Sequence, residues 1–325
     1  MQMRKQEKQL IEMSILIPCC NEEAALPIFY REVTGALLKM EISYELIFIN
    51  DGSYDKTLDK LRNLAAKDVY VKYISFSRNF GKEAAMYAGF CNAKGKYVAV
   101  MDCDMQDPPS LLPQMYAILE KGEYDSVATR RTSRTGEPPI RSWFAHRFYR
   151  IINCISDAQM MDGARDFRLM RRSMVDAIVA MGEYNRFSKG IFGWIGFRTY
   201  WLSYENTPRV AGETKWHFWG LVRYAIDGII NFSQVPLSLA SLSGILMTGV
   251  SFLMLVIIVA RKLCIADSSA DGWASIICAI IFVGGIQLFC LGIMGQYIAK
   301  IYMETKHRPH YIAAESNIAD VEEVR

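Results

Sequence analysis

Between Met13 and Thr129, short apolar runs alternate with segments in which apolar residues recur every three or four positions. The runs are MSILIPC (13–19), YELIFIN (44–50), residues 69–76, YVAVMD (97–102) and residues 126–129, each of strand length and rich in Val, Ile, Phe and Tyr. Helical periodicity fills the intervals at 22–39, 56–67, 82–93 and 109–121. This βαβα order predicts an α/β domain with a mostly parallel sheet and helices on both faces. In such sheets ligands gather outside the carboxyl ends of the strands, so the polar residues that follow each strand are the candidates for chemistry.

The pattern changes after residue 140. Two segments, 142–156 and 216–232, mix Trp, Tyr and Phe with Arg in the manner of helices that lie in a membrane interface. Two stretches without any Lys, Arg, Asp or Glu follow, residues 228–260 and 272–299. Each exceeds the roughly 20 residues that cross a hydrocarbon core as a helix, and only about ten residues separate the spans, so a transmembrane hairpin is expected. Basic residues before the first span and after the second favour both ends on the cytoplasmic side, against Arg261 and Lys262 in the connection. The organisation expected is a ligand-binding core over 1–140, a region with two interfacial amphipathic segments over 141–232, two spans over 233–302 and a polar cytoplasmic tail over 303–325, frayed from Tyr311.

Composition sharpens this. The 37 basic and 34 acidic side chains all fall outside the two uncharged stretches, at a density normal for a water-soluble domain. A purely soluble enzyme and a multi-span transporter are both disfavoured, and the polar N-terminal residues do not resemble a secretory signal. The eight cysteines show no CxxC or zinc-like spacing, which suits reduced thiols. A net charge of +3 offers nothing to nucleic acid, yet residues 130–150 carry six arginines against Glu137 alone, a local demand for an anionic partner.

At the sheet edge, Asp102-Cys103-Asp104 closes the run YVAVMD. Alternation along an extended chain would turn both carboxylates to one side, a hard-oxygen site for Mg2+ or Mn2+ bridging to substrate phosphates. Asp51 follows the second run, with Gly52 for a tight turn and Asp55 poised to cap the next helix. Pro18, Asn21 and Glu22 close the first run similarly. Arg209 and Lys215 flank a glycine in RVAGETK, a loop suited to clamp a diphosphate. Asp166 lies among Arg165, Arg168, Arg171 and Arg172, which by itself reads equally well as a salt-bridged surface cluster.

As a set, IPCCNEE (17–23), NDGSYDKT (50–57), SRNFGKEAAMYAG (77–89), MDCDMQDPP (101–109), RDFRLMRR (165–172), NRFSKGIFGWIGF (185–197) and RVAGETKW (209–216), followed by two spans, resemble the polyprenyl-phosphate glycosyltransferases of glycosyltransferase family 2. Dolichol-phosphate mannose synthases and bactoprenol glucosyltransferases are the related groups. The resemblance implies a GT-A fold that moves a sugar from a nucleotide donor to a polyprenyl phosphate with inversion, in the inner membrane, as a homo-oligomer such as a tetramer. It implies that Pro18, Glu22 and Asp51 hold the nucleoside, and that Asp102 and Asp104, with Gln106 beside them, bind the metal on the diphosphate. Arg209 and Lys215 would contact phosphates, Asp166 matches the proposed base, and Arg130 and Arg131 match arginines near the acceptor phosphate. Cys20 replaces a usual Tyr and Asn50 the first Asp of a DDGS motif. No QxxRW sequence of the processive relatives occurs, so one sugar per turnover is expected. The resemblance favours UDP-glucose, with other UDP- or GDP-sugars as alternatives and a catalytically dead membrane scaffold as the competing class.

Overall fold

The computed structural model describes residues 10–131, 158–204, 218–264 and 273–319, together with 147, 149–150, 152–156 and 321. An eight-stranded sheet is built from β1 (Met13–Cys19), β2 (Tyr44–Asn50), β3 (Val71–Phe76), β4 (Tyr97–Val100), β5 (Ser126–Arg131), β6 (Ala164–Arg171), β7 (Thr199–Tyr204) and β8 (Ala313–Ser316), in the order β7-β5-β6-β4-β1-β2-β3-β8. The strands from β4 through β1 and β2 to β3 are parallel, as the alternating pattern predicts. β6 enters antiparallel between β4 and β5, which reverses the chain beside the candidate site.

Helices α1 (Leu26–Leu38), α2 (Thr57–Lys67), α3 (Lys82–Asn92) and α4 (Leu112–Glu120) occupy the expected intervals. α5 (Arg172–Ala180) and α6 (Ser188–Trp194) follow β6, and α7 (Phe218–Phe232) precedes two long helices, α8 (Val235–Cys264) and α9 (Trp273–Thr305). Strand alternation sorts the core into two layers. Ile15, Ile17, Phe48, Phe167 and Leu169 pack with α1 and α4, while Leu16, Ile47, Ile49, Val98 and Met170 pack with α3, α5 and α6. β1 and β2 are buried along their whole length, the signature of a central parallel strand covered on both faces.

The sequence reading needs two corrections. β4 ends at Val100, so Asp102 and Asp104 sit in the turn beyond it, with Met105 at φ 59°. Their neighbourhood is set by a turn, not by strand alternation. The tail, expected to fray, instead supplies β8, which adds antiparallel to the edge of β3. Tyr311 is buried and stacks on Phe76 at 4.8 Å between ring centroids. Arg62 and Tyr73 hold Glu315, and Asn317 accepts a bond from the Tyr73 N–H at 2.7 Å. An unpaired strand edge gains partners from any compatible extended segment, and AAES meets that need at β3.

α8 and α9 are long and apolar enough to cross a membrane, over Val235–Met254 and Ala279–Thr305. They pack on each other through Ser243 and Cys290, and leave Ile245, Phe252, Ile281 and Leu288 exposed. Their polar ends are fastened to the α/β domain. Glu304 accepts the backbone N–H groups of Tyr184 and Asn185 at 3.0 Å, Lys300 pairs with Asp227 at 2.8 Å, and Asn231 donates to the Asn185 carbonyl at 3.0 Å.

Candidate active site

The loops after β1 and β2 are zipped together before any ligand arrives. Asn21 takes the left-handed conformation at φ 55°; its N–H donates to Ser53 Oγ and its side-chain oxygen accepts the Tyr54 N–H. Asp55 accepts bonds from the Thr57 N–H and hydroxyl at the start of α2, so its capping role is realised. Gly52 sits at φ +62°, where a Cβ would fall 2.3 Å from the Arg78 carbonyl carbon. Only glycine lets the β2 loop meet the 77–81 segment this closely.

Asp51 is buried against that segment and accepts the N–H groups of Phe80 at 2.6 Å and Gly81 at 3.0 Å. Burial pushes its carboxyl up from the ordinary value, and the two N–H groups pull against it. One role of Asp51 is therefore to hold the entry to α3. It also lines a cavity of about 220 Å3 with Pro18, Glu22, Lys82, Asp102 and Asp104. Pro18, Glu22, Asp51, Asp102 and Asp104, chosen from three separate sequence segments, meet in one pocket at the carboxyl end of the parallel strands.

One residue that the sequence did not single out is Lys82, at the first position of α3. Its ammonium lies 2.6 Å from Asp102 and 2.6 Å from Asp166, joining the turn after β4 to β6 across the pocket. Asp166 is therefore not part of a surface arginine cluster. Arg171 donates to the carbonyl of Tyr124, Arg172 to that of Ala93, and Arg168 is buried beneath Phe192. Burial would raise the Asp166 carboxyl, but Lys82 first and Lys189 next hold it well below the carboxylate range. Lys82 is pushed above its usual value, because Asp102 and Asp166 outweigh its own desolvation. The available signal was the lysine of FGKEAA, placed where a strand hands over to a helix, but a lone helix-start lysine reads as solvated.

Asp104 is buried and accepts the Gln106 N–H at 3.1 Å. The Gln106 side chain turns away to accept from Arg131 at 2.9 Å and Arg165 at 3.3 Å, bracing the turn against β5 and β6. Asp107, also missed, is fully buried between Arg165 and the Tyr204 hydroxyl. Burial raises its carboxyl and Arg165 opposes the rise, as expected of a structural strut. Arg130 donates to Ser203 at 2.9 Å on β7, beside but outside the pocket. Arg209 and Lys215 lie outside the described residues.

The donor set suits a divalent cation shared with a substrate. Among the described residues no group of three His, Cys, Asp or Glu side chains could hold a metal ion; Asp102 and Asp104 are the two carboxylates at the pocket that could contribute ligands. Mg2+ and Mn2+ are bound in this way, through one or two carboxylates plus phosphate oxygens and water. Glu83 accepts from the Ser188 N–H at 3.0 Å, tying α3 to α6.

The chain is similar to known proteins over most of its length. The glycosyl transferase family 2 profile matches residues 14–179, which spans β1 to α5. CsbB of Bacillus subtilis (strain 168), provisionally named a glycosyltransferase, is 43% identical over 306 residues, covering 94% of this chain and 92% of its own length. The bactoprenol glucosyl transferase of Shigella phage SfV is 37% identical over 302 residues, covering 93% and 98%. Glucosyl-3-phosphoglycerate synthase from Mycobacterium tuberculosis, solved with Mn2+, UDP and phosphoglyceric acid, aligns with 68% of this chain and 76% of its own at 17% identity, with a TM-score of 0.46. A βαβα sheet whose strand-end carboxylates share one pocket, matched by the family profile and by relatives over nearly the whole chain, makes this protein a glycosyltransferase of family 2 with a GT-A fold.

Proposed function

We propose that the protein transfers one sugar, glucose from UDP-glucose, to the phosphate of a polyprenol at the cytoplasmic face of a cell membrane, with inversion. The observation that carries the reading is the short path from pocket to hairpin. Glu304 on α9 binds Tyr184 and Asn185, Asn185 leads into α6, and Ser188 on α6 binds Glu83, the neighbour of Lys82. A site held this firmly to an apolar hairpin suits an acceptor whose tail stays in the bilayer. The bactoprenol glucosyl transferase relatives support both the lipid class and glucose.

In this mechanism Pro18, Glu22 and Asp51 bind the nucleoside side of the donor, and Asp102 and Asp104 are the residues that would hold a divalent metal. The metal would stabilise the charge that develops on the leaving diphosphate, with Arg209 and Lys215 proposed as further cations. An oxygen of the acceptor phosphate attacks the anomeric carbon as the bond to the diphosphate breaks on the opposite face. A phosphate monoester has a second pKa near ~6 and is largely ionised at neutral pH, so the nucleophile is ready without a strong base. Asp166, held well below the carboxylate range by Lys82 and Lys189, is a weak base. Its role is to fix those two cations around the acceptor.

The test is to incubate the detergent-solubilised full chain with undecaprenyl phosphate, Mg2+ or Mn2+, and labelled UDP- and GDP-sugars, then to extract the lipid phase. Label from UDP-glucose should become lipid-soluble and chelator should prevent it. Label entering only from another donor would reassign the sugar, and none entering from any donor would end the proposal. Light scattering of the same preparation tests the tetramer.

A further inference from the structure

The donor pocket gathers charge of one sign. Glu22, Asp51, Asp102 and Asp104 line it, and among the described residues Lys82 is the one cation that does. Carboxylates crowded into one partly dry cavity repel each other, and a cation among them relieves this. Lys82 places its ammonium 2.6 Å from Oδ1 and 2.9 Å from Oδ2 of Asp102, so both oxygens of that carboxylate are engaged. The same ammonium lies 2.6 Å from Asp166 Oδ2.

The backbone that carries Lys82 is fixed from both sides. Asp51 accepts the N–H groups of Phe80 and Gly81 just before it, and Glu83 just after it accepts the Ser188 N–H at 3.0 Å. The head of the side chain is held less firmly, because 40% of its surface is in solvent and its four-carbon stem is flexible. A fixed root with a mobile head lets the ammonium leave one carboxylate while keeping the other. The oxygens that Lys82 engages are also those a divalent cation needs, since Mg2+ and Mn2+ bind protein through one or two carboxylates. A divalent cation on either oxygen of Asp102 would stand beside the ammonium, and like charges that close repel strongly.

We propose that Lys82 is a stand-in cation for the metal, pairing Asp102 before the metal arrives and withdrawing to Asp166 when it binds. Lys82 is then a positioning residue that sets metal affinity. The inference rests on the proposed assignment of Asp102 and Asp104 as metal ligands. One consequence is that the free pocket keeps its carboxylates paired and binds the metal more weakly than two open carboxylates would. Another is that occupancy at one carboxylate is passed to a second. Released from Asp102, the ammonium has Asp166 as its remaining ion-pair partner, so metal binding beyond β4 tightens the pair on β6.

Titration of the full-length protein in detergent with Mn2+, the free ion being read by electron paramagnetic resonance, tests this without any turnover. Lys82→Met removes the competing cation and should bind Mn2+ about fivefold more tightly than the parent, the factor expected for losing one partly exposed ion pair. Lys82→Arg keeps a competing cation and should stay within about twofold of the parent. Lys189→Met removes another cation that acts on Asp166, and should also stay within about twofold, because a charge that does not compete for Asp102 is largely screened. Asp104→Ala should abolish the binding, and melting temperatures report that each variant folds. Unchanged or weaker Mn2+ binding in folded Lys82→Met overturns the role of Lys82 and leaves the metal site standing. An equal rise in Lys189→Met assigns the effect to the general field of the pocket and overturns it too. Binding that Asp104→Ala leaves intact, or no binding in any variant, removes the metal from Asp102 and Asp104. The role of Lys82 then falls with it, whatever sugar the transfer assay finds.

Discussion

Replacing Lys82 by Met removes the one ammonium that Asp102 and Asp166 share, while keeping a side chain of similar length at the start of α3. Two unit charges about 4 Å apart attract by roughly 4 kcal/mol at an effective dielectric of 20. The Lys82 side chain keeps 40% of its surface in solvent, against 22% for Asp102 and 18% for Asp166, so screening reduces each pair to about 1 kcal/mol. At about 1.4 kcal/mol per pKa unit, Asp166 should titrate about one unit higher without Lys82. The sign follows from its depressed folded value. The ionised pair contributes fully above the ordinary carboxylate range and is lost as pH falls through the lower, folded value. The acid limb of the stability profile, read as melting temperature against pH, should therefore move upward in Lys82→Met, with the maximal transfer rate reduced, and Lys82→Arg should restore most of the shift. An acid limb of stability that stays in place in folded Lys82→Met would refute the assignment of Lys82 as the group that keeps Asp166 charged.

Other outcomes are equally specific. Asp104→Ala should lower kcat by about a hundredfold or more, as loss of a main electrostatic contributor does, and activity of that variant should no longer respond to added Mn2+; a near-normal, metal-responsive rate would move the metal elsewhere. Asp166→Asn should retain transfer within about a hundredfold of the parent if it orients cations, whereas a larger loss across the pH range would restore it as a general base. Gly52→Ala forces a Cβ into the Arg78 backbone and should reduce UDP affinity in calorimetry together with stability. Tyr311→Ala empties a buried site stacked on Phe76 and should cost about 3–5 kcal/mol, read as a lower melting temperature; an unchanged melt would mean that β8 does not hold the sheet edge.

The legible parts of the site were those whose chemistry is local. Asp51, Asp102 and Asp104 each follow an apolar run, and the rule that parallel sheets bind ligands at their carboxyl edge was enough to group them. Gln106 and Asp166 were named from motifs, but their work was not visible. Gln106 braces Arg131 and Arg165, and Asp166 answers to a lysine 84 positions away. Lys82 was passed over because an isolated cation in a sequence looks solvated, and Arg168 was read as one member of a surface arginine cluster. Only β6, entering antiparallel, sets one under α6 and the other facing two carboxylates.

What this sequence determines by itself is whatever repeats along the chain. Strand and helix periods place β1 to β5 and α1 to α4, and charge-free stretches mark two helices long enough for a bilayer, because these features depend on neighbours a few residues apart. Tertiary structure alone decides where Asp102 and Asp104 sit, in a turn rather than a strand, and why a polar tail ends as β8. It also buries Arg168 under Phe192 with its Nε unbonded among the described residues. Each of those outcomes is fixed by partners tens to hundreds of residues away, whose free energy enters only when the sheet is assembled.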